Sequence, residues 1–235
     1  MLRSLLILAL IPLSFLISLS AQGQVPVAGT EDMLDKLRLN RANEKMTGSE
    51  YVDIKGEVFL FPNFERGTLK IIDEIPLDGY FRYDMYSEQL EFRMEDVDYT
   101  FSTPHLMEYV YIGELKMIYS SYMNALMDLE SRKSTYFVEL VDGECQLLER
   151  MNVLMQKAEP PKLYQDAKPA EFKRKSDAYY LRLDDGTAIR IKKKKDISEI
   201  LNDPAVDIAS YIKKEKISVN SVEDLIKVVE YYNTY

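Results

Sequence analysis

The densest set of reactive side chains in the sequence is Glu91, Glu95, Asp96 and Asp98, four carboxylates gathered in one short stretch. Carboxylates at this density could supply oxygen ligands to a hard cation such as calcium, or a pair of them could divide acid and base roles in a hydrolysis. Arg82 and Arg93 belong to the same region. On strands, Arg82, Glu91, Arg93 and Glu95 fall on the polar face. A salt-bridged, solvated sheet surface is therefore the better reading of the cluster.

His105 is the sole histidine, which excludes multi-histidine metal centres and would make any Ser-His-Asp or Cys-His scheme depend on one residue beside Pro104. The sole cysteine, Cys145, forbids an intramolecular disulfide and reads as a small buried hydrophobe. The sequence carries no EF-hand loop, Walker motif, dinucleotide fingerprint or zinc-spaced cysteine set. We accordingly assign no catalytic residue, no metal ligand and no cofactor.

Two surface features remain. The basic run Lys192, Lys193, Lys194 and Lys195 could meet an anionic lipid or polysaccharide, although a solvated strand end is the ordinary role of such a run, and membrane contact is the less favoured reading. The chain holds 17 tyrosines and no tryptophan, and Tyr80, Tyr86, Tyr109 and Tyr111 fall opposite the apolar face of their segments. Either other elements cover that face and the four rings are core, or they form a ligand surface. Covering is the expectation, and exposure of these four side chains is the discriminating observation.

The elements that must position these residues are strands. Gly79 to Phe101 alternates with period two: Phe81, Tyr83 and Met85 on one face, then Leu90, Phe92 and Met94, then Val97, Tyr99 and Phe101, against a charged opposite face. This predicts three antiparallel strands. Strands are also expected over 51–61, 67–73 and 108–119, the last with a bulge or bend at Gly113, and 122–130 as a brief helix or loop excursion. Asp142-Gly143 and Asp185-Gly186 predict two hairpins, the first of type I′. Prolines at 160, 161 and 169 make 158–177 an extended connector. Past the lysine run the period changes, and Asp196, Asp203 and Ser221 can each cap a short helix.

The fold class expected is α+β: a β-rich, curved antiparallel sheet, a meander open or closed as far as a half-barrel, with short C-terminal helices. The organisation is a signal peptide over 1–23, a lead-in with a short helix over 24–47, the meander over 48–157, the connector, and a hairpin with helices over 178–235 on the same domain. The first segment has Arg3, an apolar run from Leu5 to Leu19 and small residues to Gly23, the pattern of an export signal. Its removal would take the formal charge from −9 to −10. So acidic a chain is a poor nucleic-acid binder, and the expected partner is an envelope protein or small ligand.

The tail from Tyr179, YYLRLDDGTAIRIKKKKDISEIL followed by DIASYIKKEKISVNSVEDLIKVVEYYN, resembles the C-terminal end of a family of exported Bacteroidetes proteins. That resemblance implies export and a bacterial envelope setting, periplasmic or secreted. It brings no activity, ligand or catalytic motif to these residues. The functional expectation is an exported, non-enzymatic binding or assembly module, with a carrier of a lipid or small hydrophobic ligand, and a hydrolase using the acidic residues of 84–98, as alternatives.

Overall fold

The structure is a computed structural model that describes residues 51, 54–94, 97–161, 166–184 and 186–235. The expected leader, the helix of the lead-in, and Glu95, Asp96 and Asp185 lie outside the described residues. Within them the chain is α+β, as its patterning predicts: strands first, three short helices last.

Ten strands form one sheet: β1 Glu65–Ile71, β2 Leu77–Asp84, β3 Gln89–Met94, β4 Val97–Thr100, β5 Met107–Ile112, β6 Leu115–Met123, β7 Lys133–Val141, β8 Cys145–Arg150, β11 Ala178–Leu183 and β12 Ala188–Arg190. Between them β9 Val153–Gln156 and β10 Glu171–Arg174 make a separate antiparallel pair. The predicted meander is present as β2, β3 and β4, with Phe81 opposite Phe92 and Phe92 opposite Tyr99.

The order along the sheet is β12-β11-β8-β7-β6-β5-β1-β2-β3-β4, and β12 also pairs with β6. That second pairing closes the first five strands into a small barrel. It is possible because β6 is shared along its length: Leu115 and Met117 pair with β5, whereas Tyr122 and Met123 pair in parallel with Ala188 and Ile189 of β12. The lumen is filled by Ile118, Tyr122, Phe137, Leu148, Ala178, Tyr180 and Ala188, all buried. Its two ends are polar. At one, Glu139 takes Lys116 as an ion-pair partner and accepts from Gln146 Nε2 at 2.6 Å, while Gln146 accepts from Arg182. At the other, Arg150 donates to Glu88 from the β2–β3 turn and lies 4.8 Å from the Tyr122 ring centroid.

The remaining strands curl away as an arm whose concave face buries Leu69, Phe81, Tyr83, Leu90, Phe92, Val110 and Ile112 against Met117, Tyr136 and Val138. The curl needs backbone proximity. Gly67 faces Gly79 across β1 and β2, and a Cβ at Gly67 would lie 1.8 Å from the Tyr111 carbonyl oxygen. The Phe81 ring fills the space that both glycines leave.

Three helices, α1 Lys194–Ile200, α2 Ile208–Lys214 and α3 Val222–Tyr232, cover the outer barrel face that carries Cys145, Leu147 and Leu181. Ser221 Oγ caps α3 by accepting from the Asp224 N–H, as its position predicts. The cap of α2 is Asp207 rather than Asp203, and α1 starts at Lys194, two residues before Asp196, whose carboxylate instead accepts from the N–H groups of Lys192 and Lys193. The helical layer is clamped to the sheet by Asn233. Its Oδ1 accepts from the Cys145 N–H at 2.9 Å, and its Nδ2 donates to the carbonyls of Cys145 and Asp142 at 2.9 and 3.3 Å. Asn233→Ala leaves these backbone groups without their partner and is expected to lower stability by about 1–3 kcal/mol, read as a lower denaturant midpoint.

Several elements differ from their sequence expectation. Residues 54–61 are irregular rather than a strand, with one bridge to the ten-stranded sheet, Phe59 to Asp84, and one to β10, Lys55 to Glu171. Gly113, with φ of +59°, makes a complete turn between β5 and β6 rather than a bend within one strand. The 122–130 stretch divides between the end of β6 and a loop closed by a 3-10 turn at Leu129–Ser131. The connector contains β10, which finds its partner in β9. The Asp142-Gly143 hairpin is present, but only Gly143 has positive φ, so its turn is not type I′.

Candidate functional site

The convex face of the arm holds Tyr80, Arg82, Glu91, Arg93, Asp98 and Tyr111 among the side chains that the sequence singled out. Its charged cluster is organised in ion pairs. Arg82 donates twice to one oxygen of Glu91, at 3.0 and 2.6 Å, and Arg93 pairs with Asp98 at 2.6 Å. Glu91 is buried, contrary to the solvated surface expected of it, because Phe59 and Phe64 lie over Arg82 at 3.6 and 4.3 Å and close the pair off from water. Burial pushes the Glu91 carboxyl above the usual carboxylate range, an effect Arg82 partly offsets. Asp84, also buried, accepts from the N–H groups of Tyr86 and Ser87 and from the Tyr51 hydroxyl. The described carboxylates thus have arginine, amide or phenol partners and do not converge in a cleft, a geometry that gives the hydrolase alternative no support.

The four candidate tyrosines separate. Tyr86 belongs to an aromatic cluster at one edge, with ring centroids 5.0 Å from Phe172 and 6.1 Å from Tyr51. Tyr109 is half-buried on β5, edge-on to Tyr111 and packed against the barrel core. Tyr80, Tyr86 and Tyr111 stay open to solvent, at 54%, 40% and 38% exposure. Tyr80 stands between two arginines, opposite Arg66 on β1 and Arg93 on β3, both exposed. The covering expected of these four rings therefore fails at Tyr80, Tyr86 and Tyr111, and only Tyr109 is partly covered: the helices lie over the outer barrel face and Phe59 and Phe64 over Arg82.

His105 sits exposed in a 3-10 turn. Cys145 is fully buried among helix residues, and burial pushes its thiol up to about 12. A thiol reagent at mildly alkaline pH is expected to leave native Cys145 unmodified and to label it only at the rate of unfolding. Fast labelling of the folded protein would contradict that environment.

Lys192, Lys193, Lys194 and Lys195 are all exposed, the last two inside α1. Lys192 and Lys193 line a cleft of about 340 Å³ together with Arg190, Ile189, Ile200 and the loop residues Ala125 and Leu126. Sequence reasoning missed Arg190, which reads simply as an alternating strand residue. Its place at the barrel seam depends on the β12–β6 pairing, which no local pattern announces. Among the described residues, no group of three or more His, Cys, Asp or Glu converges on a metal position, and no helix is long and apolar enough to cross a membrane.

These features define an α+β protein in which a filled five-stranded barrel and a curled open arm are joined through the β5–β6 pairing, with an arginine-flanked tyrosine patch outside the arm. No protein-family model matches the chain, and neither a curated protein nor a solved structure matches it.

Proposed function

We propose that the chain is an exported, non-enzymatic binding module that engages a partner protein of the cell envelope through the open part of its convex sheet face. The observation that carries this reading is Tyr80, more than half exposed in the middle of a rigid sheet and flanked across both neighbouring strands by Arg66 and Arg93. Tyrosine and arginine are the side chains that most often anchor interfaces, since both bring large contact area and directed hydrogen bonds. A strand holds them in place, so little ordering entropy is lost on binding. The filled barrel lumen gives no support to carriage of a small hydrophobic ligand inside it.

The test is a photo-crosslinking side chain at position 80 in cells that produce the protein, with the same group at Lys214 on α2 as control. A discrete adduct from position 80 and none from 214 is the expected result. Folded, exported protein that gives no adduct at position 80 would overturn the reading, and equal adducts from both positions would remove its specificity.

A further inference from the structure

A second surface, remote in sequence from the tyrosine patch, brings together unlike features. The loop after β6 exposes three large apolar side chains within four residues, Leu126 at 45%, Met127 at 80% and Leu129 at 67%. Single exposed hydrophobes are ordinary on a protein surface, but three on one loop tip are not. Leu126 shares the 340 Å³ cleft with Lys192 and Lys193. Arg132 and Lys133, both exposed, leave the loop on its other side, and Lys194 and Lys195 continue the basic run into α1. The opposing charges are Asp128 and Glu130 on the loop and Asp196 and Glu199 on α1. Two of these are engaged: Asp196 holds the N–H groups of Lys192 and Lys193, and Glu199 pairs with Lys195 at 2.8 Å. Arg190 lines the same cleft, as do Asp196 and Glu199.

We propose that this edge docks on an anionic phospholipid bilayer, with Leu126, Met127 and Leu129 entering the headgroup boundary and Arg190, Lys192 and Lys193 receiving a lipid phosphate. An apolar tip with flanking cations is the combination that holds a protein at such a surface: buried apolar area supplies attraction at contact, and basic residues supply selectivity for acidic lipid. The protein's net charge of −9 opposes a general attraction, so the contact is confined to this edge and is sensitive to salt.

The test is co-sedimentation of the full-length chain, purified as its host processes it, with vesicles of phosphatidylglycerol mixed with phosphatidylcholine and with phosphatidylcholine alone. Two variants accompany it, Met127→Asp/Leu129→Asp and Lys192→Glu/Lys193→Glu. All four positions are exposed, so both variants should keep the thermal midpoint of the parent. The expected result is a preference for the acidic vesicles that falls about tenfold or more in each variant and weakens with salt. No preference for phosphatidylglycerol, or parental binding by either variant, would overturn the proposal. So would a change of oligomeric state in the loop variant without a change in vesicle binding, which would assign the patch to self-association.

Discussion

Phe137→Ala is expected to remove about 3–5 kcal/mol of stability, the largest loss from any single truncation in the barrel. Phe137 is completely buried, and its ring stands edge-on to Tyr180 and Tyr122 at centroid distances of 5.1 and 5.9 Å. Those two rings come from β6 and β11, the strands on either side of β12, so Phe137 on β7 is packed by side chains of two other barrel strands. The hydrogen-bonded ring of strands limits how far the lumen can collapse around the void, which places the cost toward the upper end of the range. Equilibrium denaturation of the parent, Phe137→Ala, Tyr180→Ala and the double variant would measure it, with a coupling between the two sites of about 0.5–1.5 kcal/mol expected for edge-to-face rings. A loss near 1 kcal/mol would mean that the lumen relaxes freely and that closure by β12 contributes little rigidity.

How much of this architecture was legible depends on whether its cause is local. Alternation between Gly79 and Phe101 assigned Phe81, Phe92 and Tyr99 to one face because a strand's period is fixed by the backbone itself. Asp142-Gly143 marked its hairpin, and Ser221 its helix, through short-range conformational preference and hydrogen bonding. Closure of the barrel had no such signal. It rests on a two-residue parallel pairing of Ala188 and Ile189 with Tyr122 and Met123, residues more than sixty positions away. β9 and β10 were hidden for the same reason, since each is only four residues long and finds its partner across the proline-bearing connector. The burial of Glu91 was equally hidden, because its cover comes from an irregular segment with no periodicity. Of the candidate surfaces, the tyrosines and lysines could be named from composition and face, whereas the exposure of Tyr80 and the position of Arg190 came only with the tertiary structure.

Arg82→Met should be nearly as costly as the loss of Phe137, by a different mechanism. The guanidinium is stacked under Phe59 and Phe64 and holds Glu91, whose side chain is 3% exposed. Methionine can keep much of the apolar contact with the two rings but none of the charge. Glu91 would then be a buried carboxylate without a counter-ion, a situation that typically costs about 3–5 kcal/mol. The pH dependence follows from the direction of the Glu91 shift. Burial raises its folded value above the unfolded one even with Arg82 present, and removing Arg82 raises it further. A raised carboxyl binds its proton more tightly in the folded state, so this stability is present below the unfolded value and is lost as pH rises through the folded value. The deficit of Arg82→Met is therefore expected to be greatest at neutral pH and to shrink as the solution is acidified. Adding Glu91→Leu should recover most of the loss at neutral pH and abolish its pH dependence, because two apolar side chains can occupy the covered site without a stranded charge. Denaturant midpoints of the parent and the two variants across this range separate the possibilities: a deficit that neither acid nor Glu91→Leu relieves would trace to lost stacking on Phe59 and Phe64, not to the charge of Glu91.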